Sequence, residues 1–325
     1  VTEVRLAFLG TPFMAVPTLK ALIDDARFTV VAVVCQPDKP AGRGNKMHAP
    51  PVKELALSHN IPVLQPEKLS KSEEAIETLK TLGTELIVMV AFGQILKKSV
   101  LTLPPLGVIN LHFSLLPRYR GAAPLNWAII NGDTETGVCT MFTEAGLDTG
   151  PVLLKRQVKL DENINAEELS RELADIGASV TILTLEKLLA KELTPEKQDD
   201  TQATFAPMLS KELGLIDWSK SARAIHNLVR GLIPWPSAHT IFRGHSLKIW
   251  KTSCHCDDTA IEKAKALSDI SGQVFEQARK LYVKCGSSGQ ELLELLEVQP
   301  ENKSKMKASD WLNGAHITAQ DIFGK

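Results

Sequence analysis

The sequence predicts an α/β protein with a Rossmann-like parallel sheet, followed by a small β-barrel. Three observations carry this. The first half alternates apolar, β-branched runs with amphipathic stretches, the rhythm of strands whose crossover helices cover both faces of a sheet. Residues 191–202 are then polar and nearly devoid of large apolar side chains, as a linker is. Beyond them, five short segments of strand character follow one another between 238 and 300, a spacing typical of a barrel.

The elements follow in order. Val4–Leu9 reads as a buried strand, and Gly10-Thr11-Pro12 turns the chain into a helix over Ala15–Ile23. Thr29–Cys35 is a second strand, Val52–Ser58 a helix, Ile61–Leu64 a short strand and Glu73–Leu82 a helix. Glu85–Ala91 and Val108–His112 are further strands. Ala166–Leu189 carries Leu169, Leu173, Ile176, Val180, Leu183 and Leu188 at helical spacing. Ser221–Leu232 reads as a helix that Ile233-Pro234-Trp235-Pro236 stops. The later strands are Ala238–Phe242, Leu247–Thr252, Gly272–Phe275, Leu281–Lys284 and Leu292–Val298, with turn signals at Arg243-Gly244-His245 and Gly286–Gly289. The expected domains are therefore 1–190, a linker over 191–207, and 208–325.

Composition narrows the class. Over 325 residues, 44% are hydrophobic and 23% charged, which excludes disordered, collagen-like and disulfide-stapled chains. Five scattered cysteines suit a reducing cytoplasm. No run reaches the length of a membrane span, and Val1–Arg5 leads straight into a strand without the pattern of a secretory signal. A cytoplasmic protein with no membrane role is expected. The net charge of −1 excludes a strongly basic nucleic-acid coat protein. Residues 210–325 nevertheless carry +3 and the remainder −4, a mild bias of the second half toward a polyanionic partner.

The densest chemistry falls in Gly107–Pro124. On a strand over 108–112, Asn110 and His112 share a face at the carboxyl end, where α/β sheets open their ligand crevice. An amide donor beside an imidazole suits a reaction that passes through a tetrahedral oxyanion, although the same pair also serves as ordinary polar residues at a strand end. Ser114-Leu115-Leu116-Pro117 leaves the strand as an irregular loop whose backbone can hold a flat heterocycle, and Arg118 and Arg120 add cations for a carboxylate or phosphate. Gly146-Leu147-Asp148-Thr149-Gly150 places a carboxylate on a tight turn, either to cap its own backbone or to fold back on His112 and favour its charged form. Gln36–Lys46, rich in Pro, Gly and basic residues, reads as a surface loop or as a cationic lid over a phosphate-bearing substrate. Cys254-His255-Cys256 lacks the spacing of a soft-metal site, and Gly10-Thr11-Pro12 lacks the dinucleotide fingerprint; neither a metal nor a nicotinamide cofactor is expected.

Taken together, Asn110-x-His112-x-Ser114-Leu115-Leu116-Pro117, Gly121 and Asp148 resemble the signature of the 10-formyltetrahydrofolate-dependent formyltransferases. Arg118–Pro124, Gly146–Gly150, the Gln36–Gly44 loop, Ile216-Asp217-Trp218 and Pro234-Trp235-Pro236 are similar to the branch that formylates aminoacylated initiator tRNA, so the resemblance spans nearly the whole chain. It implies Asn110, His112 and Asp148 as the catalytic trio, and 10-formyltetrahydrofolate as co-substrate. The folate would lie against Ser114, Leu115, Leu116 and Pro117 and near Val90, Phe92, Gln94, Ile95 and Leu96. A flexible loop with Arg43, flanked by Lys39 and Lys46, would approach methionyl-initiator tRNA. The C-terminal domain would be an oligonucleotide-binding-type barrel that helps dock the tRNA. The protein would act as a monomer without metal. Phe113 stands where such proteins often carry a small residue or proline, and is expected to pack away from the trio. Rival readings remain a small-amine formyltransferase, a formyltetrahydrofolate hydrolase and a non-catalytic tRNA-binding protein.

Overall fold

The computed structural model describes residues 3–41 and 46–324. They form two compact units, one containing residues up to 124 with 135–159 and 170–207, the other 125–134, 160–169 and 208 onward.

The first unit is built on a seven-stranded sheet. In chain order its main elements are β1 (Val4–Gly10), α1 (Val16–Asp24), β2 (Phe28–Val34), α2 (Pro51–Ser58), β3 (Val63–Leu64), α3 (Glu73–Thr81), β4 (Leu86–Val90) and β5 (Val108–His112). After α4 (Pro124–Ile130), which from Leu125 on belongs to the second unit, come β6 (Glu135–Phe142), β7 (Val152–Lys159) and α5 (Ala166–Leu189), the last joining the first unit from Ser170. The strand order is β7-β6-β5-β4-β1-β2-β3. It is parallel from β3 to β5, while β6 and β7 run antiparallel at the far edge. The inner strands are apolar along their length because both faces are covered. On one face Ala7, Leu9, Val34, Ile87 and Val108 pack with Leu69, Ala75 and Leu79. On the other, Gly177 of α5 lies so close to Leu111 that a Cβ would come within 2.6 Å of it. Helix α3 is started by Ser72, whose Oγ accepts from the Ala75 amide at 3.2 Å, with Glu73 and Glu74 in its first turn and Lys80 in its last.

The order of strand addition reverses about β1: β2 and β3 lie to one side and β4 and β5 to the other. The carboxyl ends of β1, β4 and β5 therefore border the crevice that such a switch creates. The β6–β7 hairpin escaped sequence reading. Gly137 interrupts β6 where the Arg156 carbonyl leaves no room for a Cβ, and β7 exposes Lys155, Arg156 and Gln157 as an edge strand does. Residues 191–207, expected to link domains, contribute main-chain pairing to this unit. Glu196 and Val152 exchange two hydrogen bonds of 2.8 Å, and Phe205–Ala206 runs parallel to Arg120–Gly121. Such contacts use backbone rather than buried side chains, so hydropathy does not reveal them.

In the second unit, α6 (Ala222–Gly231) begins at Ser221, whose Oγ accepts from the Ala224 amide. It is followed by β8 (Ala238–Phe242), β9 (His245–Ser253), α7 (Asp258–Lys265), β10 (Val274–Gln277), β11 (Lys280–Cys285), β12 (Glu291–Pro300) and α8 (Ala308–Ala315). The antiparallel order is β8-β9-β12-β11-β10. The C-terminal segment joins the two outer strands. The Val274 amide donates to the Asp321 carbonyl, Phe323 to Gly272, and Gly324 to Ile241 of β8. Ile225, Val229, Leu247, Ile249, Val283, Leu295 and Phe323 fill the interior. The β8–β9 turn has Arg243 and Gly244 at φ 48° and 80°, the paired left-handed geometry of a tight hairpin. Ala278 and Arg279 adopt the same geometry between β10 and β11 without a residue type that advertises it.

Arg243 ties this closure together. Its Nε and Nη2 donate to the Asp321 carboxylate at 2.8 and 2.7 Å, and Nη1 and Nη2 reach the Ala315 and His316 carbonyls. The guanidinium, aided by the Thr318 amide and hydroxyl, lowers the Asp321 pKa from 3.8 to about 2. The ion pair therefore stabilises the fold above the unfolded value and loses that contribution as pH falls from 3.8 toward 2. Asp321→Asn is expected to melt below the parent protein at pH 7, with the gap closing across that acid window. Thermal unfolding of both proteins over a pH series checks this.

Candidate active site

The site is assembled at the carboxyl end of β5. Asn110 and His112 project from one strand face and keep 7% and 5% of their surface exposed. The His112 Nε2 lies 2.9 Å from the Tyr119 carbonyl oxygen. A carbonyl only accepts, so Nε2 carries the hydrogen and the free chemistry of the ring is left to Nδ1. Asp148 Oδ2 stands 3.8 Å from that Nδ1. The same carboxylate oxygen accepts from the Gly121 amide at 2.8 Å. Among the described residues no hydrogen bond occupies the nearly buried Asn110 side chain.

The 114–121 loop owes its shape to internal contacts. Ser114 Oγ donates to the Arg118 carbonyl at 2.7 Å, Leu116–Pro117 is a cis peptide and Tyr119 sits at φ 62°. Leu116 is buried against Cys139, Met141 and Val152. The Tyr119 amide donates to Thr204 Oγ1 at 2.9 Å, and the Arg120 amide to the Thr204 carbonyl at 2.8 Å. Gly121 is required here: at φ 127° a Cβ would stand 2.6 Å from the Ala206 carbonyl oxygen. Gly146 and Gly150 are required in the Asp148 turn, because a Cβ at either would collide with Thr149 or with the Phe142 carbonyl.

The two arginines differ, and only Arg120 departs from expectation. Arg120 is 4% exposed and donates to Gln198 Oε1 and Asp200 Oδ1, so it supports the loop instead of facing a ligand. Arg118 is exposed, stacks on the Tyr119 ring at 5.0 Å and reaches its hydroxyl at 3.2 Å. Gln198 has no motif around it; only its contacts with Arg120 and the Asp148 turn reveal it.

The second expected group lies at the end of β4. Val90, Phe92 and Leu96 are buried in the core, Ile95 is 78% exposed, and Leu115 and Pro117 are partly exposed. Gln94 spends its side chain on the main chain: Oε1 accepts from the Leu69 amide at 2.7 Å, and Nε2 donates to the Pro66 and Glu67 carbonyls. Across the crevice, Thr11 Oγ1 and Gln36 Nε2 both donate to the Phe92 carbonyl. Beside them Gln65 and Lys53 hold the Asp38 carboxylate, and Gln65, then Lys53, keep its pKa below the usual carboxylate range. Phe113 is buried.

Lys39–Ala41 and Lys46–His48 pair as a short antiparallel ladder, with Lys39 exposed. Arg43 falls outside the described residues, as does the Lys46 side chain. Among the described residues no group of three or more His, Cys, Asp or Glu side chains is placed to hold a metal ion, and no helix is long and apolar enough to cross a membrane.

Comparison with known proteins places the chain in a wider set. The family described as formyl transferase matches residues 4–185, and its C-terminal domain matches 208–316. The chain is 47% identical to the methionyl-tRNA formyltransferase of Caldanaerobacter subterraneus over 98% of its length and 99% of that protein. It is 48% identical to that of Solibacter usitatus over 99% of both. Among solved structures, the fold is shared with a sugar 3N-formyl transferase, WlaRD, at TM-score 0.64 and 17% identity, covering 94% of this chain and 100% of that one. It is also shared with methionyl-tRNA formyltransferase from Clostridium thermocellum at TM-score 0.55 and 19% identity, covering 78% and 94%.

The Gly121 geometry yields a direct test. Gly121→Ala must displace either its own amide or the Ala206 carbonyl, and is expected to cost roughly 1–3 kcal/mol, read as a lower urea midpoint at unchanged slope.

Proposed function

The chain belongs to the methionyl-tRNA formyltransferases, and from that membership we propose that it transfers the formyl group of 10-formyltetrahydrofolate to the α-amine of methionyl-initiator tRNA, supplying translation initiation. The observation that carries the reading is the pairing of two potential oxyanion donors on one strand face, with Asp148 Oδ2 at 3.8 Å from the inner ring nitrogen of His112.

In this reading Asn110 and His112 bind the formyl oxygen as the acceptor amine forms its bond to the formyl carbon. Asn110 donates from its amide. His112 donates from a protonated Nδ1, since Nε2–H is committed to the Tyr119 carbonyl. Donors already aimed at the developing charge need no reorganisation during the reaction. Asp148 stabilises the imidazolium, takes the amine proton and delivers it to N10 as the carbon–N10 bond breaks, so the products are formyl-amine and tetrahydrofolate with no net proton change.

We assign catalysis to residues 1–190 and tRNA docking to the barrel of 208–325, with 191–207 between them. The folate is held by Ser114, Leu115, Leu116 and Pro117 and by the 90–96 segment, with Val90, Phe92, Gln94, Ile95 and Leu96. The fit rests on position: both segments leave the carboxyl ends of adjacent parallel strands. Since Phe92, Leu96 and Gln94 have side chains engaged in the protein, the 90–96 segment would contribute backbone groups and the exposed Ile95. Arg43, Lys39 and Lys46 meet the tRNA. The enzyme works as a cytoplasmic monomer and needs no metal.

The test is formyl transfer from 10-formyltetrahydrofolate with methionyl-initiator tRNA, uncharged tRNA and no tRNA. Tetrahydrofolate release is expected only with the charged tRNA; release without any tRNA would indicate a hydrolase, and no release would redirect the search to small amines. Asn110→Ala and His112→Ala are each expected to lower kcat by about 10²–10³-fold while remaining folded. Near-full turnover in either would overturn its assignment.

A further inference from the structure

Asp148 lies at φ 51°, in the left-handed region that a residue with a Cβ occupies at a cost. The turn around it is gripped by a single side-chain amide. Gln198 Nε2 donates to the Asp148 carbonyl at 2.8 Å and to the Gly150 carbonyl at 2.7 Å. The other amide atom, Oε1, accepts from Arg120 Nε at 3.0 Å and Nη2 at 2.9 Å. A guanidinium only donates, so Arg120 decides which way the amide faces: oxygen toward the cation, nitrogen toward the two carbonyls. Arg120 is in turn anchored by Asp200 Oδ1 at 2.7 Å. Gln198 and Arg120 are both buried, and their contacts reach the main chain that carries Asp148.

Resting on the reading of Asp148 as a catalytic carboxylate, we propose that Gln198, oriented by Arg120, is a positioning residue that locks the Gly146–Gly150 turn with the Asp148 carboxylate between His112 Nδ1 and the Gly121 amide. Without the two carbonyl contacts the left-handed residue is free to relax, and the carboxylate moves with it. The Gly121 amide grips only the tip of the side chain; Gln198 grips its root. Displacement of a reacting group by about 1 Å costs on the order of 10²-fold in rate. The segments proposed to hold the folate and the tRNA are other ones, so the loss is expected in kcat.

The experiment uses Gln198→Met and Gln198→Glu in the full chain, with circular dichroism to establish folding. Methionine keeps the length and loses both functions. Glutamate keeps the acceptor for Arg120 but has no N–H for the two carbonyls. Both variants are expected to lower kcat by roughly 10–10²-fold with KM for the formyl donor and for methionyl-tRNA unchanged. In an Asp148→Ala background, followed under single-turnover conditions, Gln198→Met is expected to cause no further loss, because a residue acting through Asp148 has nothing left to position. Folded variants with parental kcat would overturn the proposal, as would a full additional loss in the Asp148→Ala background. Parental turnover in Asp148→Ala itself would instead sink the reading of the site on which the proposal stands.

Discussion

Two residues of main chain, Phe205–Ala206, lie parallel to Arg120–Gly121, and the polar part of the site depends on that pairing. It lets the Ala206 carbonyl accept from the Ala122 amide, while Thr204 engages the backbone of Tyr119 and Arg120. With the loop held, the Tyr119 carbonyl faces His112 Nε2 and the Gly121 amide faces Asp148. The glycine is forced by the same pairing, since a Cβ would meet the carbonyl that makes it. A strand pair too short to register as secondary structure in the sequence thus aligns a ring nitrogen and a carboxylate that come from different elements.

The electrostatics follow from how charge is distributed around that loop. A buried guanidinium is costly unless its donors are satisfied. Arg120 meets this with a neutral amide on one side and Asp200 on the other, while the Asp148 carboxylate stands 3.8 Å from the His112 imidazole. Polar groups spent in this way give shape, as do Gln94, Gln36 and Ser114, each tied to a carbonyl or an amide of the main chain. The Asn110 side chain, nearly buried, makes no such hydrogen bond among the described residues.

The second unit solves a different problem, that of two open sheet edges. Its C-terminal segment pairs with Gly272 and Val274 on one side and Ile241 on the other, so neither outer strand is left entirely as a bare template for another chain. Arg243 serves two ends at once, turning the β8–β9 hairpin through its backbone and binding Asp321 through its side chain. The Phe242, Trp311 and Phe323 rings meet beneath it, at centroid distances of 5.1 and 5.6 Å for the two pairs involving Phe242.

By itself the sequence determined the parallel core, the long helix over Ala166–Leu189, the strand over Val108–His112 and the shared face of Asn110 and His112. These follow from apolar runs and from periods of 3.6 and 2, which are local properties of a chain. The turn at Arg243-Gly244 was legible because glycine marks it; the equivalent turn at Ala278-Arg279 was not. Only the tertiary structure decided the antiparallel β6–β7 edge, the attachment of residues 196–206, the burial of Arg120 and the contacts of Gln198 with the Asp148 turn. It also decided which imidazole nitrogen remains free. These rest on hydrogen bonds between groups that are not sequence neighbours, from 7 residues apart for His112 and Tyr119 to 50 for Gln198 and Asp148 and 85 for Tyr119 and Thr204. Every residue other than proline carries the same backbone donor and acceptor, so main-chain pairing leaves no imprint on composition or periodicity.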